Sequence, residues 1–154
     1  MNNNIDDLLV SIDYSFKDEK LLIIALTHKS YTTNLDVSGD VNNERMEYLG
    51  DAVLELVTSD FLYKSYKDMS EGEMTKLRAS LVCEPALAID AREINLQDFL
   101  YLGKGEENTG GRNRDSIISD AFEALIGAIY LDGGLKEATK FINRFVINDI
   151  EHKQ

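Results

Sequence analysis

Five acidic residues stand where acids are costly. Glu44, Glu47 and Asp51 follow one another at i, i+3 and i+7, which on a helix stacks three carboxylates along one face. Two like charges about 4 Å apart repel by roughly 4 kcal/mol at an effective dielectric near 20. The helix dipole favours acids in a first turn, which accounts for Glu44 and part of Glu47. It does not account for Asp51, two turns in and followed by Ala52, Val53 and Leu54. The second group lies in Ile117–Leu131, apolar nearly all round, the composition of a helix buried on most sides. Asp120 and Glu123 are its only acids, side by side at i, i+3, and it carries no base. A charge in such a helix must be paired, protonated or bound to a metal. Two helices that each offer a carboxylate pair suit a hard cation. Mg²⁺ and Mn²⁺ prefer carboxylate and water, and Mg²⁺ keeps waters that substrate phosphates can replace. Zinc is disfavoured, since the only histidines are His28 and His152. Read to this point, the residues describe a divalent cation held on two helices and suited to phosphodiester or phosphoryl chemistry.

The elements that must position these acids read as all-α. There is one proline, Pro85, and the apolar residues recur at helical period. Leu21, Leu22, Ile24 and Ala25 predict a helix ending near His28, with Asp18 as its N-cap. The polar stretch from Tyr31 to Asp40 reads as a loop. A long helix is expected from about Asn43 to about Tyr66 through Met46, Leu49, Val53, Leu54, Val57, Phe61 and Leu62. Ser70 and Glu73 have capping-box spacing and open a helix through Leu81; Pro85 opens another through about Ile94. The glycines of 103–114 predict a flexible surface loop. Asp115 or Ser116 is expected to cap a helix that runs to Leu131 and stops at Asp132-Gly133-Gly134. A last amphipathic helix begins near Leu135, with Phe141, Phe145 and Ile150 as a core stripe rather than a cofactor box.

Size and charge set outer limits. At 154 residues the chain fits one domain, and 44% apolar with 29% charged residues excludes disorder over most of its length. The longest uncharged apolar run, Ala124 to Leu131, falls well short of the roughly 20 residues that cross a bilayer. The start, Met1 to Asp7, lacks the positive region and apolar stretch of a secretory signal, so a cytoplasmic protein with no membrane partner is expected. One cysteine, Cys83, excludes an intramolecular disulfide and a multi-cysteine zinc site; it is expected to be a small buried apolar residue. Lys plus Arg is 16 against 28 for Asp plus Glu, a net charge of −12. Alone, that balance argues against a polyanionic partner. It ceases to do so if some of the acids hold cations.

At these same acids the sequence resembles the catalytic domain of the bacterial ribonuclease III family. Asn43-Glu44-Arg45-Met46-Glu47-Tyr48-Leu49-Gly50-Asp51-Ala52-Val53-Leu54 is similar to the family's N-E-R-L-E-F-L-G-D-[AS]-V-L motif. Residues 25–31, 75–79, 103–107 and 119–128 are similar to further blocks in the family's order, so the resemblance covers nearly the whole chain. It implies an all-α endonuclease domain that forms a homodimer and lays double-stranded RNA across a valley with one cutting centre per subunit. It implies Mg²⁺, for which Mn²⁺ can substitute, held by Glu47, Asp51, Asp120 and Glu123, with Asp51 and Glu123 in catalytic roles and Glu44 as an accessory acid at the edge. RNA processing by hydrolysis would leave 5′-phosphate and 3′-hydroxyl ends with short 3′ overhangs. Tyr48 matches an aromatic the family uses at its dimer interface, against the plainer reading of a core residue. Lys76, Arg78, Arg112 and Arg114 are candidate phosphate contacts, against simple surface solvation.

Two departures from the family pattern matter. The family usually carries a double-stranded-RNA-binding domain after the nuclease domain, whereas residues 1–154 read as a single catalytic domain that ends at Gln154, implying weak, salt-sensitive RNA binding. Asp115 stands where many relatives have proline, which touches loop geometry but no ligand. His28 is expected to be a hydrogen-bonded structural group, and Glu71 and Glu73 to serve helix capping. The rival functions are a catalytically silent dimeric RNA-binding or scaffold relative, expected to have lost ligands, and a di-iron or di-manganese carboxylate protein. The latter needs two Glu-x-x-His pairs, and none occurs here.

Overall fold

A computed structural model describes residues 4–32, 41–148 and 150. The loop expected at 31–40 lies mostly outside the described residues, as does His152. Among the described residues seven α-helices follow in order: α1 (Ile5–Ile12), α2 (Glu19–Leu26), α3 (Glu44–Ser65), α4 (Glu71–Val82), α5 (Glu84–Glu93), α6 (Lys104–Asn108) and α7 (Asp115–Ile142), the last passing into a π turn at Asn143–Ile147. Among the described residues the only extended pairing is an isolated bridge between Thr27 and Tyr101. The fold is therefore all-α, and among the described residues no helix is long and apolar enough to cross a membrane.

α7 is the axis of the molecule. Ile118, Ala121, Phe122, Ala124, Leu125, Ile126 and Ala128 on it are fully buried, as its composition requires. α3 lies against it along most of its length, and α2 and α5 cover its other sides. The α3–α7 contact is a backbone contact. A Cβ built on Gly50 would stand 1.7 Å from the Glu123 carbonyl oxygen, and one built on Gly127 would stand 2.4 Å from that of Met46. No side chain fits between the helices there, so these two glycines set how closely α3 and α7 approach.

Local signals account for most helix ends. The Asp18 carboxylate accepts from the Lys20 amide to cap α2, and Ser70 and Glu73 exchange both bonds of a capping box at the start of α4. Elsewhere the structure corrects the expectations. α1 was not expected, although Ile5, Leu8, Leu9 and Ile12 carry the helical period and Asn4 caps it. The glycine-rich stretch 103–114 is not a flexible loop: it holds α6 and a 3₁₀ turn at Gly111–Asn113. Neither Asp115 nor Ser116 caps α7; Arg114 is in the cap position and the Asp115 carboxylate instead meets Arg92 at 2.7 Å. The expected break at Asp132-Gly133-Gly134 is present: Gly134 leaves helical geometry at φ 83° and ψ 179°, so α7 is two helical segments that meet at a kink. Just before it the Asp132 carboxylate accepts from the Tyr14 hydroxyl at 2.6 Å and from the amides of Lys17 and Asp18 at 3.0 and 2.9 Å. Cys83 is exposed rather than buried, because it forms the sharp junction that ends α4 and begins α5.

Candidate metal centre

α3 and α7 bring the acids of two distant stretches together. Glu47, Asp120 and Glu123 each offer a carboxylate oxygen, and these oxygens all lie within 4.8 Å of one another. The three side chains are half-buried, Asp51 is exposed beside them, and Glu44 is exposed one turn before Glu47. Glu44 faces outward to Lys29, at 3.9 Å. The expected quartet thus forms as a tight trio with Asp51 joined to it through Glu123, and Glu44 stays at the margin.

The cost of that crowding appears in the protonation equilibria. Burial, a hydrogen bond to Asp51 and the charges of Asp51, Glu47 and Asp120 push the Glu123 carboxyl up from 4.5 to about 9. Burial and the neighbouring Asp120 likewise push Glu47 up to about 7. Asp120 is raised by burial, against the opposing effect of the bond from Glu47. Without a cation these shifts favour a proton on Glu123 at neutral pH, and Glu47 titrates there rather than in the ordinary carboxylate range. Protonation relieves the repulsion among the crowded carboxylates, and a divalent cation would relieve it instead by displacing protons. All the donors are oxygens, the set that hard cations favour and zinc does not.

Two constraints fix this geometry. One is the backbone contact at Gly50 and Gly127, each a single turn from a cluster acid. The other is a clasp at the start of α3. The Asn43 amide donates to the Thr27 carbonyl at 2.9 Å, and its buried carboxamide donates through Nδ2 to the Ala25 carbonyl at 3.1 Å. On the far side of the same segment the Tyr101 amide donates to Leu26 and the His28 amide to Tyr101, at 2.9 and 3.0 Å. Nδ1 of His28 accepts from the Ser30 amide at 3.1 Å, and Ser30 Oγ accepts from the Gly103 amide at 2.8 Å. His28 is therefore a structural group of this clasp, with burial lowering its pKa.

The candidate phosphate contacts fare unequally. Arg112 is spent internally: its Nε meets Glu107 at 3.0 Å and its Nη1 donates to the carbonyls of Gln97 and Leu100 at 2.8 and 2.9 Å. Arg114 pairs with Glu106 and the Thr109 carbonyl, and Arg78 with Glu55 at 2.9 Å and Ser59 at 2.8 Å. The bonds of Arg112 and Arg114 turn the glycine-rich segment expected to be a flexible loop into ordered turns. Lys76 stands exposed on α4. Tyr48 is 83% exposed, which excludes the core reading, and it borders a hollow lined by Met46, Leu49 and Leu131. Sequence reading missed Gly50, Gly127 and Asn43 as positioning residues. The available signal was a glycine inside a helix next to the acids, a position where glycine costs about 1 kcal/mol against alanine and so needs a packing reason.

A profile of the family described as Ribonuclease-III-like matches residues 18–150. Ribonuclease 3 of Shouchella clausii is 53% identical over 146 residues, covering 95% of this chain and 56% of that protein. Ribonuclease 3 of Pelotomaculum thermopropionicum is 60% identical over 124 residues, covering 80% of this chain and 52% of that protein. The chain spans about half the length of the curated relatives it matches. The solved nuclease domain of ribonuclease III from Campylobacter jejuni, described with a region involved in dimer formation, superposes with a TM-score of 0.86 at 46% identity. That match covers 94% of this chain and 97% of the domain.

Proposed function

This chain belongs to the Ribonuclease-III-like family, and from that membership we propose that it is the catalytic domain of a divalent-cation-dependent endoribonuclease acting on double-stranded RNA. The observation that carries the reading is the trio Glu47, Asp120 and Glu123, its oxygens within 4.8 Å on two helices whose backbones touch. Mg²⁺ is the proposed ion, with Mn²⁺ able to replace it. Cleavage would leave 5′-phosphate and 3′-hydroxyl ends with short 3′ overhangs, in the processing of cellular RNA.

In this reading Glu47, Asp120 and Glu123 hold the ion, and Asp51 completes the set from the exposed side. When bound, the cation would supply Lewis acidity, polarising the scissile phosphodiester and lowering the pKa of a water so that it attacks as hydroxide. Asp51 and Glu123 are the proposed catalytic pair, since they are hydrogen-bonded to each other and the Glu123 carboxyl, pushed up to about 9, is suited to hold a proton. The Gly50–Gly127 contact keeps the carboxylates from relaxing apart, so little reorganisation is required when charge develops. Of the candidate phosphate contacts, Arg112 is turned inward to Glu107 and two carbonyls, while Lys76 is exposed and Arg78 and Arg114 stay partly exposed beside Glu55 and Glu106, so these three remain in the proposal. An A-form duplex would be met by shape and backbone contact. A homodimer through Tyr48 belongs to the same reading, supported by the exposure of that ring.

The test is incubation of the chain with end-labelled duplex RNA and Mg²⁺, with and without chelator, beside the Glu123→Gln variant. Cleavage by the wild type alone, abolished by chelator and reduced at least about 100-fold in the variant, is the expected result. An intact duplex with wild type, or equal cutting by the variant, overturns the reading.

A further inference from the structure

The asparagine at the head of α3 is in the wrong conformation for its position. Asn43 occupies the N-cap, where asparagine ordinarily turns its side-chain oxygen back onto the helix's own first amides. Here it makes no such bond. Asn42 caps instead, its Oδ1 accepting from the Glu44 amide at 3.0 Å. The Asn43 carboxamide points away from the helix it begins and donates to Ala25 at the end of α2, where it is 95% removed from solvent at 5% exposure. Its carbonyl accepts from the amide of Glu47, a member of the acid trio, at 2.8 Å. One residue thus grips α2 with its side chain and its amide, and grips Glu47's backbone with its carbonyl.

That arrangement controls rotation. The Gly50–Gly127 contact and the buried Met46, Val53, Leu54 and Val57 seat the body of α3 on α7. The first turn runs ahead of them with Glu44 and Arg45 exposed, and there a small roll is least resisted. A roll of 10° moves a group about 6 Å from the axis by about 1 Å, given an α-helix roughly 10–12 Å across with its side chains. Sites of this kind tolerate displacements of only about 0.5 Å. Tethering the first turn to α2 removes that freedom just ahead of Glu47.

We propose that Asn43 is a positioning residue for the cation site, holding α3 at the rotational setting that brings Glu47 to Asp120 and Glu123. The inference rests on the cation reading given above and adds to it a residue that touches neither ion nor RNA. Its mode of action separates it from ordinary helix capping. A serine at position 43 would supply a good cap to α3 but is too short to span to the Ala25 carbonyl.

The experiment is Mn²⁺ binding to the whole chain, followed by titration calorimetry at fixed pH, for wild type, Asn43→Ala and Asn43→Ser, with thermal unfolding recorded for each. Mn²⁺ affinity is expected to fall about tenfold or more in both variants, the range seen for residues that orient metal ligands. In Asn43→Ser the loss is expected even where the capped helix keeps its melting temperature near wild type. A folded Asn43→Ser that binds Mn²⁺ as tightly as wild type overturns the proposal and leaves the cation reading standing. Should Asn43→Ala not fold, the serine variant decides alone. Wild type that binds no Mn²⁺ at millimolar metal overturns the cation reading, and the role of Asn43 with it.

Discussion

Glu123 and Glu47 keep protons at a pH where carboxylic acids in water have long lost them. Their folded values, about 9 and about 7, both lie above the ordinary 4.5. Between those values the native state therefore binds protons that the unfolded chain has released. Unfolding releases protons there, and stability must fall as pH rises. The contribution of these two groups is accordingly expected to be fully present below about pH 4.5 in the cation-free protein, and to be lost progressively as pH rises to about 9. Thermal unfolding in chelator across this range checks it. Saturating Mg²⁺ should flatten or reverse the slope, since the ion takes over the role of the protons and binds more tightly once they are gone. A melting temperature that climbs from pH 5 to pH 9 without metal would contradict the assignment of these shifts. Asp132 has the opposite sign: burial raises it, but the bonds from Tyr14, Lys17 and Asp18 outweigh this and hold it low. Its contribution is present above the ordinary carboxylate range and is lost only as acid titrates the folded group.

At the scale of elements the governing feature is the crossing of α3 and α7. Replacing Gly50 or Gly127 by alanine introduces a methyl where backbone oxygen already stands at 1.7 or 2.4 Å, so one helix must retreat. Overpacking of this kind costs typically about 1–3 kcal/mol, and a backbone neighbour, unlike a side chain, cannot rotate aside. Chemical denaturation of either variant should show at least that loss, with weaker Mn²⁺ binding in whatever folds, because retreat separates Glu47 from Glu123. Most of the architecture was legible beforehand where a local rule decides. The cap at Asp18, the box at Ser70 and Glu73, Pro85, and the apolar length of α7 all specify their helices without help from afar. What could not be read depends on partners distant in the chain. Arg112 orders 103–114 only because Gln97, Leu100 and Glu107 surround it. The candidate site divides in the same way. Its acids were legible as acids in unsuitable places, whereas the glycines and Asn43 that set their spacing have no meaning until α2, α3 and α7 are seen together.

For the molecule as a whole, the sign of its charge is the first difficulty and the exposed tyrosine the first clue. A net charge of −12 would repel RNA, and several of the available cations are already bound to acids, as in Arg92–Asp115, Arg78–Glu55 and Arg112–Glu107. Doubling the chain about an interface would set two cation-loaded centres along one face. Tyr48, 83% exposed on α3 in the midst of the acid motif, is the residue whose burial such pairing would explain. Sedimentation of Tyr48→Asp is expected to show monomer under conditions where wild type sediments as dimer, with the melting temperature of the monomeric fold little changed. Equal sedimentation of the two would remove Tyr48 from the interface. The meeting of two main chains at Gly50 and Gly127 has a further consequence for how such a protein can vary. The gap between the opposed acids is fixed by peptide units, which have no alternative sizes, rather than by greasy side chains, which do. Leucines and isoleucines elsewhere in the interior can be exchanged and repacked over generations without resizing the ion's cage, so the stability of the body and the calibre of the centre are free to drift apart.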